Sequence, residues 1–348
     1  MSNQDPITSP FNHLSALSYL HGAPVANGCI RAQAEDFFVQ ETLSFTPSGE
    51  GEHLFLYIEK REANTQWVAQ QLAKHFSVRS NSVAWAGLKD RNAVTQQWFS
   101  VHLPGMKSLE ALPVNEQFKV LEHTFNNRKL RVGAIANNFF RLRVTSLKAD
   151  ADRLQQRLDA IAEQGVPNYF GEQRFGRNGN NLNMAQALLI DGKRFKKADQ
   201  SMAISAARSY VFNQVLDQRI QAGLFNRVQG GDALMLDKTK SLFIAHLDEL
   251  AELQQRLECG DCHTSAVMPG CGEGLATGVA QDWEFEQLKP FADWLQGLEK
   301  LRVSASRRAA RLIPEGFNWQ LDSDELLLEF RLPTGAYATS VLREFLSY

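Results

Sequence analysis

The chain has 348 residues, 44% of them hydrophobic and 22% charged, with a formal net charge of -2. That length suits about two domains of roughly 150 residues, and the balance excludes a disordered or fibrous protein. No run of about 18 apolar residues occurs, so no membrane span is expected, and a charge so near zero carries no global signature of a nucleic-acid partner.

The opening stretch "MSNQDPITSPFNHLSALSYLHG" lacks a basic start followed by an apolar core, so export is not expected and the cytoplasm is the default compartment. The first 145 residues read mainly as strands. "FFVQETL" (37–43) and "HLFLYIEK" (53–60) are joined by the turn-rich "SFTPSGEGE". In "NTQWVAQQLAKHF" (64–76), Trp67, Val68, Leu72 and Phe76 share one face at helical spacing, with Asn64 or Thr65 as cap. "SVAWAGL" and "TQQWFSVHL" are the next two strands, followed by "FKVLEH", "KLRVGAI" and "NNFFRLRVTS". The last of these alternates Phe140, Leu142 and Val144 on one face.

From about residue 150 the texture becomes helical. "DADRLQQRLDAIAEQG" has an Asp cap, Leu154, Leu158 and Ile161 in register, and Gly165 as the stop. Residues 204–223 and 247–260 are similarly periodic, and 283–301 is helical with an interruption at Pro290. Near the end, "ELLLEFRL" (325–332) is a strand, "PTG" a turn and "AYATSVLREFLSY" a closing helix. Strand-rich, helix-rich, then strand-rich again predicts a domain inserted within another. The expected class is α+β: a mixed, mainly antiparallel sheet from residues 1–165 and 315–348, interrupted by a helix-rich insertion at 166–314.

Most motifs for cofactor chemistry are missing. "GCGEGLATG" (270–278) does not fit G-x-G-x-x-G, Gly192-Lys193 lacks the rest of a P-loop, and neither H-E-x-x-H nor G-x-S-x-G occurs. "CGDCH" (259–263) has the spacing of a c-type haem attachment, or with Cys271 a zinc ligand set, but a second C-x-x-C is missing. A turn following a helix explains it as well, and no metal is expected. The stretch "KLRVSASRRAAR" (300–311) holds five bases and no acid, which fits either a phosphate footprint or a solvated helix face.

One stretch resists such readings. "WAGLKDRNAVTQQWFSV" (85–101) sets Asp90 between Lys89 and Arg91 at the tip of an apolar hairpin. An aspartate there serves as a turn residue bonded to its own backbone, or as a carboxylate nucleophile that neighbouring bases keep charged in a desolvated pocket. Composition alone leaves both open.

"AGLKDRNAVTQQW" resembles the active-site motif of the tRNA pseudouridine synthase D (TruD) family. "EDFFVQE" (35–41), "SGEGEHLFLYIEKREANTQWVA" (48–69), "NRKLRVGAIANNFFRLRV" (127–144), "GVPNYFGEQRFGRNGNNL" (165–182) and "LPTGAYATSVLREFL" (332–346) resemble the family's other signature segments, in order. The resemblance implies a uridine isomerase acting on tRNA, at uridine 13 of the D-arm, with Asp90 as nucleophile and no cofactor. It matches Arg31 to the basic partner, Phe37, Phe140 and Tyr337 to the pocket aromatics, and Asn138 to a contact with the uracil edge. Tyr337 departs from the expected Phe. Lys89, Lys129, Arg131, Arg174, Arg307 and Arg308 are candidate RNA contacts, since phosphate contacts position an RNA without reading its sequence. A monomer is expected. The rival expectation is an RNA-binding or RNA-folding protein for which the Asp90 carboxylate is dispensable.

Overall fold

A computed structural model of the chain describes residues 14–106, 109, 111–272 and 274–348. Most of the stretch behind the export expectation lies outside the described residues. The chain divides into two compact units. One comprises residues 24–158, 314–338 and 345–348; the other comprises 159–313 together with 14–23 and 339–344.

The elements run as follows. Strands β1 (Ala26–Ile30), β2 (Phe37–Leu43) and β3 (His53–Arg61) precede helix α1 (Thr65–His75), then come β4 (Val83–Trp85), β5 (Val94–His102), β6 (Phe118–Asn126), β7 (Ile135–Ala149) and α2 (Ala151–Gln164). The middle of the chain carries β8 (Val166–Pro167), α3 (Asn180–Leu189), α4 (Lys197–Gln221), β9 (Ala233–Leu236), β10 (Leu242–Ile244), α5 (Leu250–Glu258), β11 (Cys262–Met268), α6 (Gly278–Leu288), α7 (Ala292–Lys300), β12 (Ser306–Ala309) and β13 (Arg311–Leu312). The chain closes with β14 (Glu315–Asp322), β15 (Glu325–Pro333), α8 (Ala338–Leu342) and β16 (Leu346–Ser347).

Ten strands form one sheet in the order β14-β15-β7-β2-β5-β3-β6, with β1 on β7 and β16, and β4 on β5. Only the β2–β5 and β1–β16 pairs are parallel, so the sheet is mixed and mainly antiparallel and the class is α+β, as the alternating texture predicts. Alternation decides its two faces. Leu54, Leu56 and Ile58 of β3 pack with Phe99 and Val101 of β5 against Val68 and Leu72 of α1. Phe55, Trp98, Leu130 and Ile135 form a second cluster. Each such large apolar side chain contributes about 1.5–3 kcal/mol by leaving water.

Helix α2 begins as its sequence dictates: Asp150 Oδ1 accepts the Arg153 N–H at 2.9 Å, and Leu154, Leu158 and Ile161 are fully buried. Gly165 ends it with φ at 72°, the left-handed region that favours glycine. A Cβ there would lie 2.6 Å from the Leu312 carbonyl oxygen. Gly165→Ala is therefore expected to destabilise the protein by about 1–3 kcal/mol; an unchanged melting temperature would show that this turn yields at no cost.

Four expectations change. Residues 129–134 form a loop rather than a strand, turning at Gly133 with φ at 87°. The closing helix is only α8, after which Leu346–Ser347 pairs with Ala26–Asn27 as a parallel strand. Residues 166–314, expected to be helix-rich, carry in addition a four-stranded sheet, β10-β9-β11-β12. Finally, part of the basic stretch 300–311 is strand β12 rather than a helix face.

The "CGDCH" segment turns from α5 into β11. Cys259 caps the helix, Gly260 takes φ at 78°, and Cys262 is buried. His263 hydrogen-bonds Asp237 at 2.8 Å and accepts from Arg311 Nε at 3.2 Å, and burial lowers its pKa despite the Asp237 bond. Among the described residues no three His, Cys, Asp or Glu side chains converge as metal ligands, and no helix is long and apolar enough to cross a membrane.

Candidate active site

The hairpin β4–β5 places Val83 opposite Val101 and Trp85 opposite Phe99, leaving residues 86–93 as its connection. Ala86 and Ala93 are buried at the two ends of that loop, 2% and 0% exposed. Between them the backbone is held at several points. The Lys89 N–H donates to Thr65 Oγ1 at 3.1 Å, Thr65 donates to Gln97 Oε1 at 2.9 Å, and Gln97 Nε2 donates to the Gly87 carbonyl at 3.2 Å. The Glu62 N–H reaches the Ala93 carbonyl at 3.3 Å, and Lys60 Nζ donates to the Asp90 carbonyl at 2.8 Å. Asp90 is thus fixed by its main chain while its side chain stays 35% exposed.

Arg31 meets that carboxylate, with Nη2 2.9 Å from Asp90 Oδ2. It follows β1 with φ at 59°, a left-handed conformation that costs a non-glycine residue about 1 kcal/mol. Its guanidinium carbon lies 3.9 Å from the centre of the Phe37 ring, a cation–π contact worth about 0.5–2 kcal/mol. Phe37 meets Phe140 edge-on at 6.4 Å, and Phe140 stacks on Phe330 at 5.5 Å. Antiparallel pairing of β2 with β7 produces this cluster, setting Val39 against Phe140 and Glu41 against Asn138.

Beneath the loop lies a buried ionic group. Lys89 Nζ is 2.9 Å from Glu41 Oε2, with side chains 8% and 0% exposed, and donates to Asn138 Oδ1 at 2.6 Å. Glu41 Oε1 also accepts the Trp98 N–H at 3.2 Å. Burial pushes the Glu41 carboxyl above its usual range, against the opposing pull of the Lys89 charge. An ammonium only donates, so Lys89 fixes the Asn138 amide with its oxygen inward and its NH2 free to donate elsewhere.

The structure therefore brings together Asp90, Arg31, Phe37, Phe140, Lys89 and Asn138. Tyr337 is half-buried and follows β15 in the same unit. Several expected RNA contacts are placed differently. Lys89 is enclosed by Glu41 and Asn138 rather than facing outward. Arg307 is 4% exposed, with Nη2 2.8 Å from Glu284 Oε1, and a guanidinium so enclosed presents nothing to a phosphate. Arg308 lies 4.1 Å over the Phe170 ring and donates to the Asn168 carbonyl at 3.1 Å. Arg174 lies over the same ring at 5.3 Å and donates to Ser205 Oγ at 3.1 Å. Lys129 and Arg131 are exposed, with Lys129 Nζ on the Asn81 carbonyl at 2.9 Å. Two members of the site, Lys60 and Glu41, are missed from the sequence although alternation in their strands marks both as inward-facing.

The site thus joins a carboxylate, clamped by a guanidinium, to a packed aromatic cluster on a mixed sheet. Comparison with known proteins narrows this class. The family model for tRNA pseudouridine synthase D (TruD) matches residues 13–199 and 180–345. A protein from Aeromonas salmonicida (strain A449) named tRNA pseudouridine synthase D is 48% identical over 335 residues, covering 96% of this chain and 94% of its own. Its namesake from Colwellia psychrerythraea is 43% identical over 346 residues, covering 95% and 93%. A crystal structure from Methanosarcina mazei assigned to the same family has the same fold, with a TM-score of 0.68 at 22% identity and 96% of each chain covered. The chain belongs to the tRNA pseudouridine synthase D family.

Proposed function

We propose that this protein isomerises a uridine of tRNA to pseudouridine, at uridine 13 of the D-arm, with Asp90 as the nucleophile. The observation that carries this reading is the Asp90 carboxylate itself, partly open to solvent and held by Arg31 at 2.9 Å over an aromatic cluster. Attack by the carboxylate on C6 of the ring or on C1′ of the ribose leads to cleavage of the N1–C1′ bond. The uracil then turns, C5 bonds to C1′, the Asp90 adduct is released, the C5 hydrogen leaves as a proton, and N1 takes up a proton in place of its lost bond to C1′. No atom is gained or lost between uridine and pseudouridine.

The other residues answer what such a substrate demands. A stacked uridine must leave the helix at a cost of a few kcal/mol, and an aromatic platform returns about 1–3 kcal/mol per stacked base. Phe37, Phe140 and Tyr337 supply that platform. The Asn138 NH2, oriented by Lys89, donates to a uracil carbonyl and disfavours a base that presents an amino group there. Lys129 and Arg131 contact phosphate, the inserted region 166–314 is the family's own domain, and a monomer acts in the cytoplasm. The test is tritium release from tRNA transcripts labelled at uridine C5. Release during turnover is expected, because the new C–C bond expels that hydrogen by either route. Tight binding of tRNA without release would instead support a binding or folding role.

A further inference from the structure

Lys60 is the least expected residue of this site. It belongs to the inward face of β3 and is 0% exposed, although lysine is almost never fully buried without a charged partner. Among the described residues its ammonium makes one hydrogen bond, to the Asp90 carbonyl at 2.8 Å, and no ion pair. Its cross-strand neighbours, Thr95 on β5 and Phe118 on β6, carry no charge. The loop presents two charges to it, the Asp90 carboxylate and the Lys89 ammonium. Behind these stand Arg31, on Asp90, and Glu41, on Lys89. A neutral side chain would fill this place at less cost than an amine, so the amine has a task there.

We propose that Lys60 is a positioning residue for the nucleophile, its ammonium fixing the Asp90 backbone and its positive charge sustaining the reactive carboxylate from below. It touches Asp90 rather than the substrate, and the proposal rests on the isomerase reading above. Loss of the Lys60 proton removes the charge and weakens the hydrogen bond, so turnover falls while tRNA affinity stays. Burial pulls this amine down from 10.5 to about 8, with Asp90 opposing and Lys89 adding to the fall. The group is therefore charged at neutral pH and loses its proton as pH rises through about 8.

The experiment compares wild type, Lys60→Gln and Lys60→Met in the full-length protein. Single-turnover tritium release is followed across pH 6 to 9.5, with tRNA affinity and melting temperature measured alongside. Glutamine keeps a donor for the Asp90 carbonyl without the charge; methionine keeps only the shape. The expected result is a wild-type rate that declines above pH about 8. Both variants lose that decline, and the rate falls about 10-fold in Lys60→Gln and about 100-fold in Lys60→Met. Affinity stays within about twofold and melting is unchanged or raised. A Lys60→Met enzyme with the wild-type rate and pH profile overturns the proposal. So does a rate loss in both variants matched by equal losses of affinity and melting temperature, or a wild-type rate flat to pH 9.5. Absence of release from the wild type itself would sink the isomerase reading, and this proposal with it.

Discussion

Asp90→Asn is expected to lower tritium release by at least about 10^4-fold, roughly 5.5 kcal/mol of barrier, while tRNA affinity changes little. The substitution is nearly isosteric. Every contact that shapes the loop runs through main chain or through neighbours: Lys60 on the Asp90 carbonyl, Thr65 on the Lys89 N–H, Gln97 on the Gly87 carbonyl. An amide oxygen still accepts the Arg31 bond that spans 2.9 Å. What disappears is the negative charge and with it the proposed nucleophile. Single-turnover release alongside filter binding checks this. A variant with a tenth of wild-type activity would mean that the attacking group is another residue.

The second large effect concerns folding. Glu41→Ala is expected to destabilise the protein by about 3–5 kcal/mol, the usual consequence of breaking a buried ion pair on one side. Its carboxylate is 0% exposed and 2.9 Å from Lys89 Nζ, so alanine leaves a buried ammonium without its counter-charge, still bonded to Asn138. The Trp98 N–H, 3.2 Å from Glu41 Oε1, also loses its acceptor. Replacing both charges, Glu41→Leu with Lys89→Met, should recover most of the loss, because two matched apolar chains avoid desolvating either ion. Urea unfolding of the wild type and both variants measures this. A loss under about 1 kcal/mol for Glu41→Ala would be the value of an exposed pair and would mean that water reaches Lys89.

Much of the sheet is legible because its strands alternate. Phe140, Leu142 and Val144 all lie inward on β7 at 8% exposure or less, and β2 spans the predicted residues 37–43. The same period marks two hidden members of the site. Following Leu54, Leu56 and Ile58 by twos reaches Lys60, and following Phe37 and Val39 by twos reaches Glu41. Each is a charge where the pattern demands an apolar residue. Strands β9, β10 and β12 escape notice because three or four residues are too few to show a period. Arg307 looks like a surface base because its partner, Glu284, is far away in sequence and meets it only through folding. Residues 129–134 mislead because one apolar anchor, Leu130 at 2% exposure, imitates a strand inside a loop. The pairing of Leu346–Ser347 with β1 has no local signal; it depends on contacts across nearly the whole chain.

That dispersal of the sheet through the sequence has a consequence during synthesis. Strand β7 pairs with β2 on one edge and with β15 on the other, and β15 starts only at Glu325 while β7 ends at Ala149. At about 5–20 residues per second, the ribosome needs roughly 10–35 s to deliver the missing neighbour. Until then the β7 edge, carrying Phe140, Leu142 and Val144, stands open to pairing with other nascent chains. The yield of active enzyme at high expression should therefore depend on how fast the insertion is translated and on chaperones that shield this edge.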